Sequence, residues 1–145
     1  MIISEATYED IQDVAELANR MWNDSTIKEL KSGFKEMIED ENTVIFVASK
    51  KEEVVGFAQC QLRYDYVEGT NSSPVGYLEG IFVKEKFRKK GYAKELVKHC
   101  EKWSKNMGCS EFASDCELIN EDSLKFHISM GFIETNRIIC FKKDL

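Results

Sequence analysis

The stretch FRKKGYA, from Phe87 to Ala93, sets Arg88, Lys89 and Lys90 before Gly91, Tyr92 and Ala93. It lies between the strand-like run VGYLEGIFV and the helix-like run KELVKHCEKW. A strand that leads into a helix start presents backbone N–H groups that no helical carbonyl satisfies, and the helix dipole adds positive potential there. Gly91 lets a ligand approach the backbone, and small Ala93 leaves it room. Such a turn suits a phosphate or pyrophosphate. It is neither a P-loop nor a dinucleotide fingerprint, because no GK[ST] is present and there is only one glycine. A solvated basic helix start is the plainer reading, and the turn alone leaves both open.

Two carboxylates stand in places that ask for an explanation. Glu79 interrupts an apolar strand, where a charge needs a partner or a polar cavity. A structural ion pair would satisfy it; the adjacent Gly80, a natural place for a bulge that opens the strand, favours a ligand site. Asp115 closes the run SEFASDC and could merely cap the turn that follows. The carboxyl ends of strands are also where open α/β sheets place ligands, which favours a site again.

These residues need a scaffold, and the chain alternates elements without linkers or repeats. Met1 to Ala6 reads as a strand. Thr7, with Asp10 placed for a capping box, starts a helix whose apolar positions include Ile11, Val14, Ala18 and Trp22. Ile27, Leu30, Phe34 and Ile38 mark a second helix. TVIFVAS and VVGFAQCQLRYDYV predict a hairpin about the turn Lys50 to Glu53. A loop from Glu68 to Pro74 precedes the strand ending at Val83, and the helix after the basic turn runs to Met107, closed by Gly108. SEFASDC predicts a buried strand, Asn120 to Gly131 a helix, and FIET and RIICFKK two final strands. The order β-α-α-β-β-β-α-β-α-β-β fits one α/β domain, residues 1–145, on a mixed sheet.

Composition narrows the partners. With 145 residues, 43% of them hydrophobic, the chain can bury one core and not two. Its 26 acidic and 20 basic residues give a formal net charge of −6, which argues against nucleic acid and permits a cationic partner. Five cysteines without a CxxC pair predict free thiols in a reducing cytosol rather than disulfides or a metal site. The amino terminus does not read as a signal peptide, and no apolar run reaches membrane-spanning length. The expectation is a cytoplasmic protein without membrane contact.

Arg88-x-x-Gly91-x-Ala93 after a strand resembles the Q/R-x-x-G-x-G/A signature of the GNAT superfamily of acetyl-CoA-dependent N-acetyltransferases. NEDSLKFHISMGF, from Asn120 to Phe132, resembles the superfamily's later N-x-x-A-x-x-L-Y-x-x-x-G-F segment, in the right order and separation. SSPVGYLEGIFV, EFASD and RYDYVEGT further resemble the aminoglycoside 6′-N-acetyltransferases. The resemblance implies an α/β (α+β) fold: a mostly antiparallel sheet with a splayed central parallel pair, flanked by helices. It implies that Lys89, Lys90, Gly91, Tyr92, Ala93, Lys94 and Asn120 meet acetyl-CoA, while the backbone of Ile81, Phe82 and Val83 pairs with the pantetheine arm. Trp22, Tyr66, Glu79 and Asp115 would line the site of a polycationic aminoglycoside. Trp22 and Tyr66 would be core residues in most proteins. Where relatives can carry a glutamate after the GF pair this chain has Asn136, which puts drug preference in doubt. No metal is implied, and a homodimer is suggested by the relatives alone.

The implied reaction is direct transfer in a ternary complex, with Asp115 taking the amine proton and strand amides polarising the thioester carbonyl. His127 falls where many GNAT enzymes have a tyrosine that protonates the departing thiolate, work a histidine can do near neutral pH. Asn120 is a helix cap whatever else it does. His99 reads as surface, and no cysteine has a base signature beside it, which argues against an acyl-enzyme. A relative acting on polyamines or protein N-termini, or a non-catalytic acyl-CoA-binding module, would share the coenzyme features.

Overall fold

Five strands form one sheet in the order β1-β2-β3-β4-β5 in the computed structural model, which describes residues 1–145. The elements are β1 (Ile2–Glu5), α1 (Ile11–Asn19), α2 (Ile27–Glu39), β2 (Thr43–Lys50), β3 (Glu53–Arg63), β4 (Val75–Val83), α3 (Tyr92–Asn106), β5 (Phe112–Ser114) and α4 (Glu121–Ser129). The first four strands are antiparallel neighbours, and β4 with β5 is the one parallel pair. No helix is long and apolar enough to cross a membrane.

Local chemistry accounts for most boundaries. Thr26 accepts from the Glu29 amide while the Glu29 carboxylate accepts from Thr26, a complete capping box at the start of α2. At the chain's first turn Asp10 accepts from the Thr7 amide at 2.8 Å, and a short 3₁₀ turn, Tyr8–Asp10, leads into α1. Lys51 and Glu52 join β2 to β3 with φ of 49° and 68°, the doubly left-handed turn whose twist matches a two-residue hairpin. Gly108 and Gly131, at φ of 92° and 95°, end α3 and α4.

Helices cover both faces of the sheet. Leu96, Val97 and Cys100 of α3 pack with Val44, Val55, Ala58 and Leu78 on one face. Val14, Ala18 and Phe34 of α1 and α2 pack with Ile45, Val47 and Phe57 on the other. Strand side chains alternate between faces. Phe57, Gln59, Gln61 and Arg63 of β3 therefore share the face covered by α1 and α2.

Two irregularities in β4 make the site. Gln59 pairs with Gly80 and Cys60 with Leu78, so Glu79 is an extra residue on β4, a bulge beside Gly80 as expected. Pairing of β4 with β5 ends at Leu78 and Ser114, while β4 continues to Val83 with only β3 beside it. The parallel pair is splayed from Glu79 onward.

Several expectations are corrected. FIET and RIICFKK do not form strands. A strand needs an edge to pair with, and residues 133–145 pair with neither the outer edge of β5 nor the open end of β4, meeting the 64–74 loop instead. There Asn136 donates to Glu68 at 2.9 Å, and Ile139 and Phe141 stand 80% and 89% exposed. The third strand stops at Arg63 rather than Val67, because β4 begins opposite it at Val75 and offers no partner beyond. SEFASDC contracts to three half-buried residues, and Asp115 lies just past the strand, exposed. His99 is half-buried rather than surface: its ring packs edge-on to Phe46 at 5.5 Å and Nδ1 bonds the Glu95 carbonyl at 2.8 Å.

Candidate active site

The coenzyme half of the site is backbone. Gly91 precedes α3 at φ 89°, a conformation that side chains with a Cβ rarely adopt, and only Met1 Cε, 4.0 Å away, lies near where a Cβ would stand. Lys89 is also left-handed at φ 60°. Together they turn the chain so that the amides of Lys89, Lys90, Gly91, Tyr92, Ala93 and Lys94 donate to no group of the protein. Consecutive unpaired N–H groups at a helix start form an anion cradle. The Tyr92 side chain does not join it: the ring is buried against Phe87 at 5.9 Å, leaving only its amide for a ligand. Arg88 donates Nε to the Val83 carbonyl at 2.8 Å and so ties the turn to the end of β4. The half-buried Ile81 and Phe82 and the buried Val83 lie on the stretch of β4 whose second edge β5 leaves open. Asn120 caps α4, its Oδ1 accepting from the Ser123 amide at 3.1 Å.

The acceptor half is side chains. Arg63 donates Nε and a terminal nitrogen to one oxygen of Glu79, at 3.0 and 2.7 Å, and leaves Oε2 without a partner in the chain. Its guanidinium lies 3.4 Å above the centre of the Tyr77 ring. The Tyr77 hydroxyl donates to Asp115 in a short contact. Burial, then that hydrogen bond, holds the Tyr77 phenol well above its usual range, so it stays a donor. Arg63 and Tyr77 were not singled out in the sequence; Arg63 falls at a strand end and Tyr77 in an apolar run, and only the register between β3 and β4 brings them together. Trp22 lies over Gly80, its ring atoms 2.7 Å from where a Gly80 Cβ would be, and packs edge-on to Phe57 at 6.3 Å. Gly80 is thus required by a close approach. Tyr66 stands 76% exposed on the 64–74 loop and accepts from the Gly69 amide, a loop residue rather than a strand end. Asn136, in the segment after α4, donates to Glu68 of that loop at 2.9 Å.

His127 reaches the splay through a neighbour. Nδ1 lies 2.7 Å from the Ser123 carbonyl, an acceptor only, so Nδ1 carries a proton. Nε2 lies 2.8 Å from the Ser114 hydroxyl, which also reaches the Leu78 carbonyl at 3.1 Å, where the parallel pairing ends. Ser114 is a third residue that sequence spacing did not reveal. Cys60 and Cys100 are buried away from the site, and hydrogen bonding to Cys60 together with burial holds the Cys100 thiol well above its usual range.

Residues 8–132 match the family model described as Acetyltransferase (GNAT) family. Among curated proteins the chain is similar to an aminoglycoside N(6′)-acetyltransferase type 1 of Serratia marcescens, 37% identical over 89% of each chain. It is also similar to one of Acinetobacter haemolyticus, 34% identical over 100% of this chain and 99% of that protein. Among solved structures, AAC(6′)-Iy in complex with the bisubstrate analog CoA-S-monomethyl-acetylneamine superposes with a TM-score of 0.95 at 34% identity, covering 99% of this chain and 98% of that one. AAC(6′)-Iy in complex with CoA gives 0.97 at the same identity, over 99% and 95%. The free amides at Lys89 to Lys94, the split after Leu78 and these matches over nearly the whole chain agree: the chain belongs to the GNAT acetyltransferase family.

Proposed function

We propose that the chain is an acetyl-CoA-dependent aminoglycoside 6′-N-acetyltransferase, a resistance enzyme that works by direct transfer in a ternary complex. The observation that carries the reading is the run of unpaired amides from Lys89 to Lys94 beside a β4 edge left open after Leu78. Those amides suit the pyrophosphate, and the open backbone of Ile81 to Val83 suits the pantetheine arm as an added strand. Lys89, Lys90 and Lys94 add charge at the rim, and Asn120 keeps its side-chain N–H groups free for the same ligand. Acetyl-CoA, when bound, supplies the acetyl group as an activated thioester.

The rest of the chemistry belongs to the chain. Oε2 of Glu79 and the carboxylate of Asp115 hold the cationic acceptor, with Trp22 and Tyr66 against its rings. Asp115, oriented by Tyr77, takes the proton that the ammonium must lose. Amides of the open strand stabilise the oxyanion as the C–N bond forms. As the C–S bond breaks, the His127 ring, doubly protonated for this step, delivers its Nε2 proton to the Ser114 hydroxyl, which passes its own proton to the departing sulfur. Asn136, engaged with Glu68, supplies no charge to the acceptor, and drug preference follows from the remaining carboxylates.

Residues 133–145 support a homodimer as the working unit. The run RIICFKK has strand-forming chemistry and exposed apolar side chains but pairs with no strand of its own chain, and a second copy offers an edge. Phe141→Asp is expected to shift the sedimenting mass from dimer to monomer. We place the enzyme in the cytoplasm, where acetyl-CoA is made and where five unpaired cysteines stay reduced; cell fractionation checks it. For the activity, an amine screen with a thiol-release readout is expected to respond to 6′-amino aminoglycosides and not to their 6′-hydroxyl analogues. Release without that discrimination would transfer the assignment to another amine, and no release with any amine would leave a binding module.

A further inference from the structure

Six of the chain's 20 basic residues fall within residues 84–94, beside one acidic residue, Glu85, in a chain whose formal net charge is −6. The fold concentrates this charge further by bringing in a lysine from another strand. Lys50 ends β2, Lys86 lies in the 3₁₀ turn Glu85–Phe87, and Lys90 lies in the turn before α3. Their ammonium nitrogens stand 5.9, 5.1 and 6.0 Å from the centre of one ring, that of Phe87. All three side chains are exposed, and none pairs with a carboxylate. The carboxylate of Glu53 is taken by Lys84 at 2.7 Å. Like charges gathered this closely repel one another, and the ring offsets part of that cost. The result is an unpaired positive cluster on an acidic protein.

The cluster stands beside the anion cradle without being part of it. Lys90 directly precedes Gly91. Met1, next to the pair Ile2–Ser49 at the ends of β1 and β2, reaches to 4.0 Å from where a Gly91 Cβ would stand. Lys50 follows Ser49, so the end of β2 also comes close to the turn. Yet β2 lies two strands from β4 in the sheet order, on the side away from the edge that β5 leaves open. Lys50 and Lys86 also lie outside the run of free amides, Lys89 to Lys94. Their placement gives them the field of the cradle and not its contacts.

Acetyl-CoA carries a pyrophosphate and a 3′-phosphate, roughly four negative charges near neutral pH. It approaches a protein whose net charge has the same sign. We propose that Lys50 and Lys86, together with Lys90, form a capture site that draws the coenzyme phosphates toward the cradle before they seat in it. Exposed, unpaired charges act on the encounter, while the amides hold the seated coenzyme. The capture site therefore sets the association rate and its salt dependence, and leaves dissociation and acetyl transfer unchanged. The inference rests on the coenzyme half of the proposed function and is independent of which amine accepts the acetyl group.

Stopped-flow binding of acetyl-CoA to the full chain tests it, with Lys50→Gln and Lys86→Gln combined. At low ionic strength the association rate constant is expected to fall by about three- to tenfold, with the dissociation rate constant and kcat at parental values. Near 1 M salt, where screening leaves a reach of only about 3 Å, parent and variant are expected to coincide. Dephospho-acetyl-CoA, with roughly two charges fewer, is expected to show a smaller difference between them. Lys28→Gln with Lys31→Gln, on α2 against the opposite face of the sheet, makes the same change in net charge and is expected to keep the parental rates. Equal association of parent and the Lys50–Lys86 variant at low salt overturns the capture site. An equal loss in the α2 variant overturns it as well, by making the effect one of net charge. So does a loss confined to the dissociation rate constant, which would make the two lysines contacts of the seated coenzyme. A parent that binds no acetyl-CoA at any salt defeats the coenzyme reading itself, and the capture with it.

Discussion

The two halves of this site are built from different materials. The coenzyme half, from Lys89 to Lys94 and along the open edge of β4, offers mostly backbone amides, while the acceptor half offers Arg63, Tyr77, Glu79 and Asp115. Backbone donors are present whatever the side chains are, provided that Gly91 can take its left-handed turn. Side-chain recognition depends on each group and on its neighbour: Asp115 is oriented by Tyr77, and Glu79 is shared with Arg63. Coenzyme recognition should therefore fail through geometry, and acceptor recognition through charge.

The largest effect should come from His127, which stands where the parallel pair splits between the two halves. His127→Ala is expected to lower kcat by about 10²–10⁴-fold with little change in either KM. If the proton passes through Ser114, Ser114→Ala reproduces much of that loss; stopped-flow and steady-state kinetics decide. A His127→Ala variant within a few-fold of the parent reduces His127 to packing.

Gly91→Asp attacks the backbone half. Asp tolerates a left-handed conformation better than most residues, and only Met1 lies near the new side chain, so the fold is expected to survive. Its charge faces the cradle, and calorimetry is expected to show acetyl-CoA affinity falling by about a hundredfold, two lost charge-assisted contacts. Unchanged affinity in a folded variant refutes the cradle.

Charge removal in the other half comes next. Asp115→Asn is expected to lower kcat/KM for an aminoglycoside by roughly ten- to a hundredfold, a charge-assisted contact of about 1.5–3 kcal/mol. Glu79→Gln should cost less, about tenfold and through KM, because Arg63 already offsets part of that charge. Both variants should lose part of the parent's salt sensitivity and keep acetyl-CoA affinity. Parental kcat/KM in both would remove the electrostatic basis of the acceptor half.

The smallest effect is on stability. The folded Tyr77 phenol titrates above its unfolded value, chiefly through burial and then through Asp115. Its contribution to stability is therefore fully present below about pH 10, the unfolded value, and is lost as pH rises from there toward the folded one. Urea melts between about pH 9 and 11 are expected to show a decline that Tyr77→Phe makes shallower. An identical slope in the variant would mean that the phenol ionises equally in both states.

What the residues alone determined is mostly local. The capping box at Thr26, the stops at Gly108 and Gly131, the turn at Gly91 and the bulge beside Gly80 follow from interactions within a few residues, and so they can be read in order along the chain. The coenzyme half was legible for that reason: its donors are consecutive. Tertiary structure decided the rest. Arg63 meets Glu79 and Tyr77 only through the register of β3 on β4, and Ser114 meets His127 only because α4 packs back on the strand end. The last two expected strands failed for the converse reason. RIICFKK carries a strand's side chains, but a strand is a relation between two edges, and no single stretch of sequence contains its partner.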